Sequence, residues 1–175
     1  VRSLVVDLVD ILIRAHRYDE ALGVLAEARP TLGEDGGMAV REARVTLLRG
    51  HAKEAEAMLA DLEGLQLDED DRVLGLQVHS QALQRLGKTE PALTDAREAL
   101  RILGNAPHRR AMALLEWAGV LARRLGNHDD AVHHFERCLE MARDLGQELL
   151  VGTVLHNLGF AVQDRGEKRR GLSLQ

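Results

Sequence analysis

The chain has 175 residues, 45% hydrophobic and 29% charged, with a formal net charge of −5. It can bury a core and stay solvated, and it lacks the basic excess that direct contact with nucleic acid draws on. Aromatic residues make up only 2% of a chain rich in Leu, Ala, Arg and Glu, which argues against sheets and for helices.

A lone cysteine, Cys138, excludes an internal disulfide and fits a reducing, cytoplasmic compartment. No run approaches the roughly 20 apolar residues of a membrane-spanning helix. The opening VRSLVVDLVDILI is interrupted by Asp7 and Asp10, so it does not read as a secretory signal. Val1 is not a start methionine and GEKRRGLSLQ begins a helix pattern that stops. The chain is therefore expected to be a piece of a longer protein.

In chain order the apolar spacing predicts five helix pairs. The first covers about 2–16 and 18–29. Val5, Leu8, Val9 and Leu12 share one helical face, Ala21, Leu25 and Ala28 share another, and Pro30 is expected to stop the second helix. The second pair is 38–49 and 52–63, set off by Gly36-Gly37 and divided by Gly50. The third is 70–86 and 89–103, with Gly87 at the turn, Thr89 as a cap and Pro91 in the first turn of its second helix. The fourth is 107–125 and 129–145, with Gly126 between. The fifth is 149–165 plus a truncated second helix after Gly166. LQLDEDD (65–71) and GNAP (104–107) read as loops between pairs.

The small residues that open the second helices are Ala21, Ala55, Ala92, Ala131 and Gly171, spaced by 34, 37, 39 and 40 residues. Leu115, Ala118, Gly119, Ala122 and Gly126 are matched at an offset of 40 by Leu155, Leu158, Gly159, Val162 and Gly166. Ala131 and Phe135 follow at the spacing Ala-x3-Phe. Recurrence at such a period marks a stack of helix pairs, each burying its apolar stripe against the next.

These residues resemble the tetratricopeptide repeat (TPR) family. The match is strong in the fourth and fifth pairs and degenerate in the second, and the family's closing Pro is largely absent. The resemblance implies an all-α fold: a right-handed superhelix of antiparallel helix pairs, here a single array over 1–175 with units at about 2–29, 38–63, 70–103, 107–145 and 149–175. It also implies a concave groove lined by the first helices. On that alignment the groove carries Gln77, Gln81, Gln84 and Arg85, then Glu116, Trp117, Arg123 and Arg124, then His156, Asn157, Phe160 and Gln163. Trp117 and Phe160 are half of the four aromatics. Rings beside amides suit a peptide, the ring burying a side chain and the amides bonding the backbone. Trp117 has a second reading, packing between adjacent first helices. The family's chaperone-binding clamp of Lys, Asn and Arg is not reproduced by Arg85, Arg124 and Asn157.

Other clusters read more plainly. In His128, Asp129, Asp130, His133 and His134, Asp130/His134 and Asp129/His133 stand one helical turn apart, the spacing two ligands need to share an ion. A closed site needs four ligands, so the set reads as the solvated start of a helix whose dipole favours acids there. Cys138 reads as a buried small hydrophobe. Lys168-Arg169-Arg170 reads as another solvated helix start. No Walker-type loop, GxSxG or GxGxxG is found.

The expectation is a module without enzymatic activity, cofactor or metal, binding a protein or peptide and contacting neither membrane nor nucleic acid directly. It further resembles the TPR sensor regions of bacterial transcriptional regulators of the SARP type or the MalT-like type. The alternative is a scaffold or oligomerisation segment, a homo-oligomer with no small ligand.

Overall fold

The computed structural model describes residues 1–33, 35–104 and 109–174. Among them are ten α-helices and no strand, so the all-α expectation holds. The backbone forms two compact units, Val1–Lys88 and Thr89–Gln175.

The first unit contains α1 (Arg2–Arg14), α2 (Tyr18–Leu32), α3 (Gly36–Leu48), α4 (Ala52–Met58) and α5 (Glu69–Arg85). Helices α1 and α2 pack as one hairpin, α3 and α4 as the next, and α5 lies on both α3 and α4. Val9, Leu12 and Ile13 meet Ala21 and Leu25, with Met38 and Val45 of α3 closing the cluster. The Asp35 carboxylate accepts from the Met38 amide and the Asp68 carboxylate from the Asp71 amide, which caps α3 and α5.

Several boundaries differ from those the spacing predicts, and α3 takes in Gly36 and Gly37, which were expected to stand before it. Helix α2 runs through Pro30 to Leu32. Proline deprives only the Ala26 carbonyl of its donor, and both residues are exposed, so water can replace it. Helix α4 stops at Met58 rather than 63. The Asp61 side chain takes the Gly64 amide at 3.0 Å and holds a turn there instead, while Leu59 and Leu62 stay buried. Finally, Glu69, Asp70 and Asp71 are not loop but the first turn of α5, where the helix dipole favours acids.

The second unit contains α6 (Thr89–Leu103), α7 (Arg109–Arg124), α8 (His128–Asp144), α9 (Glu148–Asp164) and α10 (Lys168–Leu174). Each helix packs on the next: α6 on α7, α7 on α8, α8 on α9 and α9 on α10. Phe135 of α8 is fully buried, and a Cβ on Gly119 of α7 would lie 2.7 Å from its ring. Gly171 does the same service for α10, where a Cβ would meet the Gly159 carbonyl at 2.6 Å. The Leu-Gly register and the small residue opening the second helix are thus requirements of close helix contact. Cys138 is fully buried, its thiol donates to the Met112 carbonyl at 3.3 Å, and burial pushes its pKa up to about 12. The loop expected at 104–107 lies, apart from Gly104, outside the described residues, as does the start of the fourth unit at 107.

Candidate interaction surface

A residue of left-handed backbone closes each first helix: His16, Gly50, Gly87, Gly126 and Gly166, with φ between 58° and 100°. Counting back from it gives a common register. Six positions earlier stand Asp10, Arg44, Gln81, Val120 and Phe160. Nine earlier stand Asp7, Arg41, Val78, Trp117 and Asn157. Ten earlier stand Val6, Val40, Gln77, Glu116 and His156. Most of the residues singled out above therefore occupy three equivalent rows.

In the second unit α7 and α9 approach one another and bring part of the set together. The Asn157 amide donates to the Glu116 carboxylate at 3.3 Å. Burial pushes the Glu116 pKa above its ordinary value. Phe160 remains 37% exposed, yet it is held from two sides. The His156 ring meets it edge to face at 4.7 Å, and the Arg123 guanidinium lies 5.4 Å from its centroid. Arg123 is fixed in turn by Asp164 at 3.5 Å. Trp117 is half-buried and Arg124 exposed. Gln163 is half-buried, with an amide nitrogen that finds no hydrogen-bond partner.

In the first unit Gln77, Gln81 and Gln84 lie half-buried along one stripe of α5. Arg85 is turned onto the end of α3, where its guanidinium donates to the Leu47 carbonyl.

Sequence reasoning missed a charged cluster on α1, α3 and α5. The buried Arg41 guanidinium donates to Asp71 at 2.6 Å, to the Gly37 carbonyl at 2.9 Å and to Asp10 at 3.3 Å. Arg2 spans Asp35 at 2.6 Å and Asp71 at 2.9 Å, and Arg44 reaches Asp10 at 3.3 Å. Burial acts against the Asp35 carboxylate, but Arg2 and the Met38 amide outweigh it and hold its pKa below the usual value. The signal in the chain is that Asp10 and Arg44 take the register that Phe160 takes in α9, and Arg41 that of Trp117 and Asn157. The arrangement is a structural ion network on the row that carries the aromatic patch in the second unit.

The α8 cluster separates. His134 is buried, while Asp130 pairs with Arg97 of α6 and Asp129 with Arg165, just past the end of α9. Among the described residues no group of three or more His, Cys, Asp or Glu side chains is placed to hold a metal ion. No helix among them is long and apolar enough to cross a membrane. Lys168, Arg169 and Arg170 are exposed at the start of α10, where Arg170 pairs with Glu136 at 3.0 Å.

Comparison with known proteins agrees with this architecture. The tetratricopeptide repeat family model matches residues 109–170. No curated protein sequence matches the chain. Among solved structures, BtubC (BKLC) from P. vanneervenii is 20% identical with a TM-score of 0.79, over 95% of this chain and 74% of that one. YrrB, described as a TPR protein with an unusual peptide-binding site, is 16% identical with a TM-score of 0.70, over 97% and 80%. A signal transduction ATPase with numerous domains and a tetratricopeptide repeat sensor, from Pyrococcus horikoshii, is 16% identical with a TM-score of 0.80, over 97% of this chain and 28% of that one. At these identities the likeness is one of fold. TPR folds are typical of protein-interaction modules and are in general scaffolds rather than catalysts.

Proposed function

We propose that this chain is a protein-interaction module that holds a segment of a partner polypeptide on the α7–α9 face. The observation that carries the reading is Phe160, exposed to solvent yet fixed by His156 and Arg123, beside the Glu116–Asn157 pair. A pre-positioned ring buries a partner's apolar side chain at little entropic cost. The Asn157 amide has donor and acceptor capacity beyond its one bond, enough to fix a peptide backbone alongside. Trp117 and Arg124 extend the surface along α7. In the first unit the Gln77, Gln81 and Gln84 stripe, with Arg85, offers polar contacts of the same kind. In this reading the chain is one repeat array, as its spacing suggests.

The test is a pull-down with wild type and with Trp117→Ala plus Phe160→Ala, after circular dichroism shows equal helicity. An aromatic anchor is worth about 2 kcal/mol or more, so affinity for a captured partner falls by roughly 30-fold in the variant. Undiminished capture of the same partner overturns the reading.

The finer proposal is that the module senses an effector within a cytoplasmic bacterial transcriptional regulator. The likeness to a TPR sensor in a signalling ATPase supports that kind of parent. Sequencing the gene upstream of Val1 tests it: an ATPase loop and a DNA-binding region are expected, and an unrelated neighbouring domain would sink it.

A further inference from the structure

Glu116 stands apart from the other half-buried acids. Its carboxylate accepts one hydrogen bond, from the Asn157 amide of α9 at 3.3 Å, though a carboxylate has room for about four. Asp35, Asp71, Asp130 and Asp164 each face an arginine. Among the described residues no cation pairs with Glu116. Burial raises its pKa, and no neighbouring charge offsets that effect. From α8 it meets the Cys138 thiol, which burial and the Glu116 charge push up to about 12 and so keep neutral. From α9 it meets Asn157, also neutral. Arg123, on the same helix, is engaged by Phe160 and Asp164 instead. A half-buried charge without a counter-charge costs free energy, and the repeat does not require one here. The same row holds Val6, Val40, Gln77 and His156 on the other first helices.

Resting on the α7–α9 face as the binding surface, we propose that the partner segment carries a basic side chain, lysine or arginine, one or two positions from its large apolar one, and that Glu116 receives the cation while Phe160 receives the apolar group. The spacing follows from α9. Asn157, which holds Glu116, and Phe160 are three residues apart and share a face, with roughly 4.5 Å of helix rise between them. An extended segment lying along α9 advances about 3.3 Å per residue, so it crosses that distance in one or two positions. A cation there makes a charge-assisted bond to the free capacity of the carboxylate. A neutral side chain in its place buries Glu116 further with no counter-charge, and an acidic one is repelled. The uncompensated acid thus selects among segments that fit the ring equally well.

The experiment is selection of random peptides displayed on phage against the whole chain, followed by titration of the synthesised winners. Wild type is expected to select lysine or arginine one or two positions from a large apolar residue. Glu116→Gln weakens a winner by about tenfold. Changing the peptide's basic residue to glutamine costs the same, and changing both costs little more. Urea unfolding finds Glu116→Gln at least as stable as wild type, because a half-buried charge is gone, so the lost binding is not a lost fold. Glu116→Lys tested against a peptide with glutamate at the basic position restores binding, which a damaged surface cannot do. Winners that need Phe160 yet carry no basic residue, or that bind Glu116→Gln as tightly as wild type, overturn the proposal and leave the α7–α9 face in place. Winners indifferent to both Phe160→Ala and Glu116→Gln, or no winners at all, overturn the reading of that face and this proposal with it.

Discussion

His134 is 6% exposed, and neither ring nitrogen has a hydrogen-bond partner. Burial lowers its pKa below 6.5. Asp130 of α8 pulls the other way, and His133 and Arg137 of α8 with Arg97 of α6 add to the lowering. The ring is neutral at pH 7, so the 3.6 Å approach of Nε2 to Asp130 is not an ion pair there. In the unfolded chain the same ring binds a proton near pH 6.5, before the folded one does. Stability therefore falls as pH drops through 6.5 toward the lowered folded value. Urea unfolding at a series of pH values should show that loss, and His134→Gln should flatten it. An unchanged slope in the variant would show that His134 is not the titrating group. From sequence the residue stood one turn from Asp130 in a set that read as the solvated start of a helix. The packing of α8 decided otherwise for His134, which is buried, while Arg97 of α6 takes Asp130.

At the scale of the element, α7 and α8 are joined by one close contact. A Cβ on Gly119 would stand 2.7 Å from the Phe135 ring, and Phe135 has nowhere to retreat because it is fully buried. Gly119→Ala should cost about 1–3 kcal/mol in denaturant unfolding. Gly152→Ala is the control: no atom lies within 4 Å of the added methyl, and the exposed helix should gain up to about 1 kcal/mol. Equal effects at the two sites would show that close approach is not why Gly119 is there. This element was legible because the constraint is local to a pair of helices: a glycine in the first helix, which recurs as Gly159, and an Ala-x3-Phe in the second. The end of α4 was not. Apolar spacing continues through Leu59 and Leu62, and both are buried as expected; the Asp61–Gly64 turn breaks the helix without disturbing that pattern.

At the scale of the whole molecule, the two units differ in what holds their first helices together. The second unit uses apolar rows and the Phe160 patch, and the first uses the Arg2, Asp10, Asp35, Arg41, Arg44 and Asp71 network. Removing one member of a buried pair strands the other, at a cost of about 3–5 kcal/mol. Asp71→Ala should therefore lower amide protection in α1, α3 and α5 of the first unit. In repeat folds stability is a sum of local terms, so protection in α7, α8 and α9 should be nearly unchanged. Hydrogen exchange with mass spectrometry checks both halves of that expectation, and uniform loss across the chain would contradict it.

The sequence by itself determined the helices, their pairing and the common register, because these follow from apolar period, turn glycines and the small residues at each crossing. It also marked the rows on which Glu116, Asn157 and Phe160 stand, since a register needs only counting. The tertiary structure alone decided what each row does. Arg41 and Asp71 lie thirty positions apart in the chain and Arg2 and Asp35 thirty-three, so only packing of α1, α3 and α5 makes them a network. Phe160 and Arg123 likewise meet only because α8 holds α7 and α9 side by side. Burial separates Leu114 and Val154 from the exposed Leu4, and no spacing rule carries that information, because the three positions are equally apolar.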